Sequence, residues 1–136
     1  MLGQLLAEIR GKVLEVIELG KTPAGNRMDI PVEWQVKTPA GKGTMRTVDY
    51  FLMRDTGVGV LDVHGILTMD DGSRIAVSSQ GYAVPTGTEG VMHIKEVTVY
   101  LTSSKAYEYL NNTIAVVEGT YYAKTGEIEL KAYEWK

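Results

Sequence analysis

Cysteine is absent from this 136-residue chain, which excludes a disulfide scaffold, a thiolate metal site and a cysteine nucleophile. With nothing that calls for an oxidising compartment, the cytoplasm is the expected location. Basic residues are not in excess. Fourteen Lys and Arg stand against 17 Asp and Glu, for a net charge of -3, so the basic face of a nucleic-acid platform is missing and no such partner is expected. Long apolar runs are missing too. Met1–Arg10 has neither a basic start nor an uninterrupted hydrophobic stretch, and it reads as neither a secretory signal nor a membrane span. Histidine occurs only twice, and His93 has no ligand spacing, so no metal is expected. Asp70-Asp71 is turn chemistry before it is a calcium site. Gly20-Lys21-Thr22 ends like a phosphate loop, but Glu15 stands where such a loop needs glycine. No serine sits in a nucleophile elbow. No cofactor is expected.

What is present is an ordinary globular composition, 44% hydrophobic and 23% charged. Its length suits a single domain spanning residues 1–136, able to bury roughly two-thirds of its unfolded surface. Turn chemistry recurs at short intervals, and the segments between alternate with period two. Val13–Leu19 is apolar with interleaved Glu15 and Glu18. Ile30, Val32, Trp34 and Val36 share a face opposite Glu33, Gln35 and Lys37. Over 44–54, Met45, Thr47, Asp49, Phe51 and Met53 share one face. A hairpin follows around Asp70-Asp71-Gly72, then a loop over Tyr82–Gly90. Strands over Val91–Leu101, Ile114–Tyr122 and Glu127–Trp135 complete the chain. Lys-Thr-Pro-Ala-Gly occurs at Lys21–Gly25 and at Lys37–Gly41; the flanks differ, so this is repeated turn chemistry. Only Ser103–Asn112 has helical character, with Ser103 or Ser104 as cap and Ala106, Tyr109 and Leu110 as its apolar stripe. This pattern predicts an all-β fold: a closed antiparallel β-barrel of about eight strands with one short helix. Closure removes the exposed edges that so many long strands would leave.

Several short motifs carry a resemblance. Leu61-Asp62, then Asp70-Asp71-Gly72, Ile75, Val77 and Gly81 resemble the central hairpin of a family of small bacterial single-domain proteins known only as a domain of unknown function. Gly20, Pro23, Gly25, Arg27, Ile30 and Pro31 are similar to its N-terminal loop. Tyr107-Glu108-Tyr109-Leu110-Asn111, ahead of Ile114–Glu118, resembles its Tyr-x-Trp-Leu-Asn segment, with Tyr109 in place of the tryptophan. Likewise His64 stands where that family often has arginine. The resemblance implies a calycin-like or allene-oxide-cyclase-like barrel.

Asp62 and His64 lie two apart on one strand, so their side chains leave the same face about 7 Å apart. A carboxylate there can orient an imidazole as a general base. Which face they occupy depends on turn register. A two-residue Asp71-Gly72 turn sets Ile66 opposite Val77 and Thr68 opposite Ile75, and points the pair inward. A three-residue Asp70-Asp71-Gly72 loop sets Leu67 opposite Ile75 and turns the pair to solvent. On the inward reading His64 is the base, Asp62 its orienter, and either Asp49, on a mostly apolar face, or Arg27 the electrostatic partner. His64, Asp62 and Asp49 are the candidate catalytic residues. Arg27, Trp34, Tyr50 and Tyr100 are the candidate ligand-binding residues, with Tyr121 and Trp135 as further lining.

Two functions compete. The first is a small-molecule-binding barrel, a cofactor-independent isomerase or cyclase acting on a small, largely apolar compound admitted through one mouth. The second is a non-catalytic structural or accessory protein with a filled barrel. A homo-oligomer is expected in either case, with no membrane partner.

Overall fold

The computed structural model describes the whole chain, Met1–Lys136. It contains nine strands: β1 (Leu2–Val13), β2 (Ile17–Thr22), β3 (Gly25–Thr38), β4 (Gly41–Met53), β5 (Gly59–Met69), β6 (Arg74–Pro85), β7 (Val91–Thr102), β8 (Ile114–Tyr122) and β9 (Glu127–Trp135). Every pairing is antiparallel, and successive strands are neighbours from β2 to β9. β9 pairs with β1, and β1 pairs with the second half of β3, from Glu8↔Lys37 to Val13↔Val32. That last ladder closes β1 and β3–β9 into an eight-stranded barrel. β2 lies outside the ring on the first half of β3, from Ile17↔Asp29 to Thr22↔Gly25. The expected closed antiparallel barrel with one short helix is what the chain forms.

The change of partner along β3 explains a boundary that differs from expectation. Val13–Leu19 is not one strand: β1 ends at Val13 and β2 begins at Ile17. Pro31, which has no N–H to give either neighbour, sits at the switch, and its carbonyl accepts the Leu14 N–H at 2.9 Å. Two further differences lie at β1 and β6. No strand is expected before Val13, yet β1 starts at Leu2; register shifts between Leu2 and Ala7 break the alternation at its start. Tyr82–Pro85, expected as loop, extends β6.

The core follows the two-residue period. Val32, Trp34 and Val36 of β3, Met45, Thr47, Asp49 and Phe51 of β4, and Leu61, Val63, Leu67 and Met69 of β5 are buried on the inner face. Each large apolar side chain so buried contributes about 1.5–3 kcal/mol. Gly11 faces inward against the flat of Trp34; a Cβ there would lie 2.3 Å from Trp34 Cε3, so the indole needs glycine beneath it. The hairpin takes the three-residue loop. Leu67 faces Ile75 and Thr68 faces Arg74, with Gly72 at φ 88°. Asp71 Oδ1 accepts the Ser73 N–H at 2.8 Å, a bond that holds the Asp71 carboxyl below its usual range.

One end of the barrel is plugged. Lys105–Asn112 forms a 3-10 helix that buries Tyr107 and Leu110. The segment kinks at Tyr107 (φ -117°, ψ 16°), and of the expected stripe Ala106, Tyr109 and Leu110 only Leu110 is buried, with Tyr109 left 52% exposed. Ser104 is the cap residue, without a side-chain cap bond. No helix is long and apolar enough to cross a membrane.

Candidate functional site: the barrel lumen

The lumen holds two chambers. The larger, about 250 Å³, opens at the end away from the helix and is rimmed by Val16, Met28, Met53, Met92 and Tyr121. The smaller, about 70 Å³, lies beneath Tyr107 and Leu110. Trp34, Thr47, Val63, Glu96 and Leu130 line both and form the waist between them. Methionine at the open rim supplies an adaptable apolar surface. Polar groups gather at the waist, where Trp34 Nε1 donates to Thr47 Oγ1 at 2.9 Å, and in the smaller chamber, where the Ser79 and Thr98 hydroxyls bond each other at 2.7 Å.

Asp49 projects into the larger chamber and is 8% exposed. The β4–β5 ladder runs through Asp49↔Val63, lapses, and resumes at Leu52↔Val60. In that gap the Asp62 N–H donates to Asp49 Oδ1 at 3.0 Å, so the carboxylate takes a backbone donor that a regular ladder would use. Burial pushes Asp49 up to about 6. The Asp62 N–H opposes that rise, the Asp62 charge adds to it, Arg27 opposes it and Asp29 adds to it.

Glu96, on the inner face of β7 between Gly81 of β6 and Val117 of β8, reaches both chambers. Burial, reinforced by the Asp49 charge, pushes it up to about 7, and no hydrogen bond or cation offsets this. Along the same strand Tyr100 is pushed up to about 12 by burial, with Glu96 and then Tyr109 adding to it. β4 and β7 are separated on the ring by β5 and β6, so the two carboxyl groups come from opposed parts of the wall.

The register corrects the inward placement of the Asp62–His64 pair. The pair does form, with His64 Nε2 2.8 Å from Asp62 Oδ1, but on the outer face, where the side chains are 50% and 42% exposed. The three-residue loop is the reason, since it assigns Leu61, Val63 and Leu67 to the lumen instead. Arg27 and Tyr50 are also outside. Arg27 bonds Asp29 at 2.8 Å and stacks its Cζ 5.5 Å from the Tyr50 ring centre, while Tyr50 lies 6.0 Å from the His64 ring. Trp135 is exposed. Of the sequence candidates, Asp49, Trp34, Tyr100 and Tyr121 line the lumen. Glu96 escaped the sequence reading because both faces of β7 are amphipathic. The outward set Val97, Val99 and Leu101 is more apolar than the inward set Glu96, Thr98 and Tyr100, so alternation alone chooses the wrong face.

A family model of proteins of unknown function, DUF3237, matches residues 4–135. The chain belongs to this family. No curated protein matches it. A β-barrel-like protein from Acinetobacter baumannii AYE is 25% identical, with a TM-score of 0.88, over 100% of this chain and 96% of that one. A protein of unknown function from Clostridium acetobutylicum ATCC 824 is 21% identical, with a TM-score of 0.86, over 98% of each chain. An enzyme from Penicillium herquei is 17% identical, with a TM-score of 0.71, over 96% of this chain and 92% of that one. The last two show a shared fold.

Proposed function

We propose that this DUF3237 barrel binds a small, largely apolar molecule in its lumen and isomerises or cyclises it without a cofactor. The observation that carries the reading is a buried carboxyl, Asp49, held by a backbone N–H inside an apolar chamber of about 250 Å³. Such a chamber is smaller than drug-sized pockets, which run from about 300 Å³, and suits a compact ligand. A carboxylate whose pKa lies near 6 is a stronger base than a solvated one and still mostly ionised near neutrality. In the proposed step Asp49 removes a proton from the bound molecule and, as the neutral acid, returns it at a second position. The product then has the substrate's mass, and no external electron donor or acceptor takes part. Glu96 faces the same space and holds the polar end of the ligand. The apolar wall excludes water and fixes one conformer, which supplies the orientation that a single proton-handling group cannot.

The outer face fits a cytoplasmic protein with neither membrane nor nucleic-acid partners. Glu8, Arg10, Glu33, Arg46, Lys95 and Lys131 all point outward from their strands, the inverse of a membrane barrel's apolar exterior. A second reading, a non-catalytic homo-oligomer, is favoured by the exposed outer stripe of Ile66, Val97, Val99 and Leu101.

The test is mass-neutral conversion. The protein is incubated with fractionated small-molecule extract, and chromatography coupled to mass spectrometry follows compounds that change retention at constant mass. Asp49→Asn is expected to abolish the conversion while His64→Ala retains it. Conversion that survives Asp49→Asn refutes the assignment.

A further inference from the structure

The outer surface and the lumen treat negative charge differently. Outside, Asp29, Glu33 and Asp62 each have a cationic or ionisable partner within 2.9 Å: Arg27, Arg46 and His64. Inside, Asp49 and Glu96 are the only charged side chains lining either chamber, and no lysine, arginine or histidine joins them. Asp49 at least has the Asp62 N–H. Glu96 has no donor from the protein; the Ser79 and Thr98 hydroxyls, in the smaller chamber, bond each other and not Glu96. An ionised group left in such a place is costly until something of opposite charge arrives.

We infer that the lumen takes a lipophilic amine, its ammonium group paired with the Glu96 carboxylate and its hydrocarbon part in the mouth-side chamber. This rests on the lumen being the ligand site, as proposed above, and names the ligand's class. The walls match both halves of such a molecule. Trp34, Phe51 and Tyr121 offer aromatic surface in the larger chamber, which attracts cations as well as hydrocarbon, and Met28, Met53 and Met92 at the rim adapt to an apolar tail. A ligand carboxylate or phosphate would meet two like charges with no cation to offset them. An alcohol would fit sterically but leave Glu96 to take a proton or stay unpaired. The ammonium supplies three donors to a carboxylate that has none.

Three ligands of one skeleton separate these cases: 4-phenylbutylamine, 4-phenylbutanol and 4-phenylbutyrate. They are titrated into the intact protein near pH 8, where the amine keeps its proton, with binding read by calorimetry and by Trp34 fluorescence. The amine is expected to bind about tenfold or more tighter than the alcohol, the worth of one charge-assisted contact, and the carboxylate not at all. Glu96→Gln should bring the amine down to the alcohol's affinity, whereas Glu96→Asp, which keeps the charge, should retain the preference. An alcohol that binds as tightly as the amine, or an amine preference that persists in Glu96→Gln, overturns the inference and leaves the lumen site standing. Failure of all three to bind overturns both.

Discussion

Replacing Glu96 by glutamine removes a half-buried lumen charge while nearly conserving shape, so its effect on stability isolates the electrostatics of the lumen. Burial moves the Glu96 pKa from 4.5 to about 7. The folded chain therefore binds this proton more tightly than the unfolded chain, and over that interval it carries more protons. Stability must then fall as pH rises from about 4.5 to about 7 and level off above, because the slope follows the excess of protons on the unfolded state, which here is negative. The full difference corresponds to roughly 3 kcal/mol of destabilisation at a pH above both values. Asp49, raised from 3.8 to about 6, adds to the decline with the same sign over a lower window. Glu96→Gln deletes the first contribution. Near pH 8 the variant is expected to be about 2–3 kcal/mol more stable than the parent, roughly 6–12 °C in Tm for a chain of this size. Near pH 4, where Glu96 is protonated in both states, the two proteins should differ by less than about 0.5 kcal/mol. Urea denaturation followed by tryptophan fluorescence at the two pH values measures both differences. A variant less stable than the parent near pH 8, or a parent whose stability rises across this interval, would refute the placement of an unpaired carboxyl in the lumen.

Two further expectations follow from the geometry. His64→Ala should change stability by no more than about 1 kcal/mol in chemical denaturation, because the Asp62–His64 pair is half-exposed and such pairs contribute little; a larger loss would mean that the pair is buried. Gly11→Val should cost about 1–3 kcal/mol or more, since its Cβ would enter the space of the Trp34 ring. Near-ultraviolet circular dichroism would register the displaced indole, and an unperturbed Trp34 signal would contradict the contact.

The barrel was legible because turn residues and period-two alternation agree along most of the chain. Asp71-Gly72, Pro39-Ala40-Gly41 and Thr125-Gly126 all fall at hairpin ends, and the inner faces of β3 and β4 were read residue by residue. The site was less legible because the facing of the Asp62–His64 pair is set by register, which alternation alone does not determine. Asp70-Asp71-Gly72 accommodates a two- or a three-residue loop, and the choice turns Asp62 and His64 inward or outward together. Asp49 needed no such choice, since Phe51, Met45 and Met53 around it are strongly apolar while the alternate face carries Arg46 and Arg54. Glu96 had no comparable guide. Its neighbours two away, Ile94 and Thr98, are no more apolar than Val97 and Val99, and only the closed ring shows which set faces in. Arg27 and Tyr50 failed for a further reason: polar-aromatic side chains suit a cavity lining and an outer-wall stack equally well, and here they stack outside.

The lumen is also where the chain departs from what stability alone would favour. A barrel of this size can fill its interior with aliphatic side chains, and much of the wall does so, with Ile75, Val77 and Leu67 fully within the core. Yet the lumen carries two acids, Glu96 at the waist and Asp49 in the larger chamber. One of them draws a strand N–H out of the β4–β5 ladder, and the other has no protein partner at all. Each is less stable there than in water by an amount comparable to a sizeable fraction of a domain's net stability. Surface acids such as Glu33 of β3 and Asp62 of β5 do not bear this cost, since they face solvent and have partners. The penalty is therefore local to the enclosed space and would be relieved by protonation or by a cation brought in from outside. Both routes of relief act on the same two oxygen pairs, so the group that makes the empty barrel less stable is the one able to recognise a ligand or move its proton.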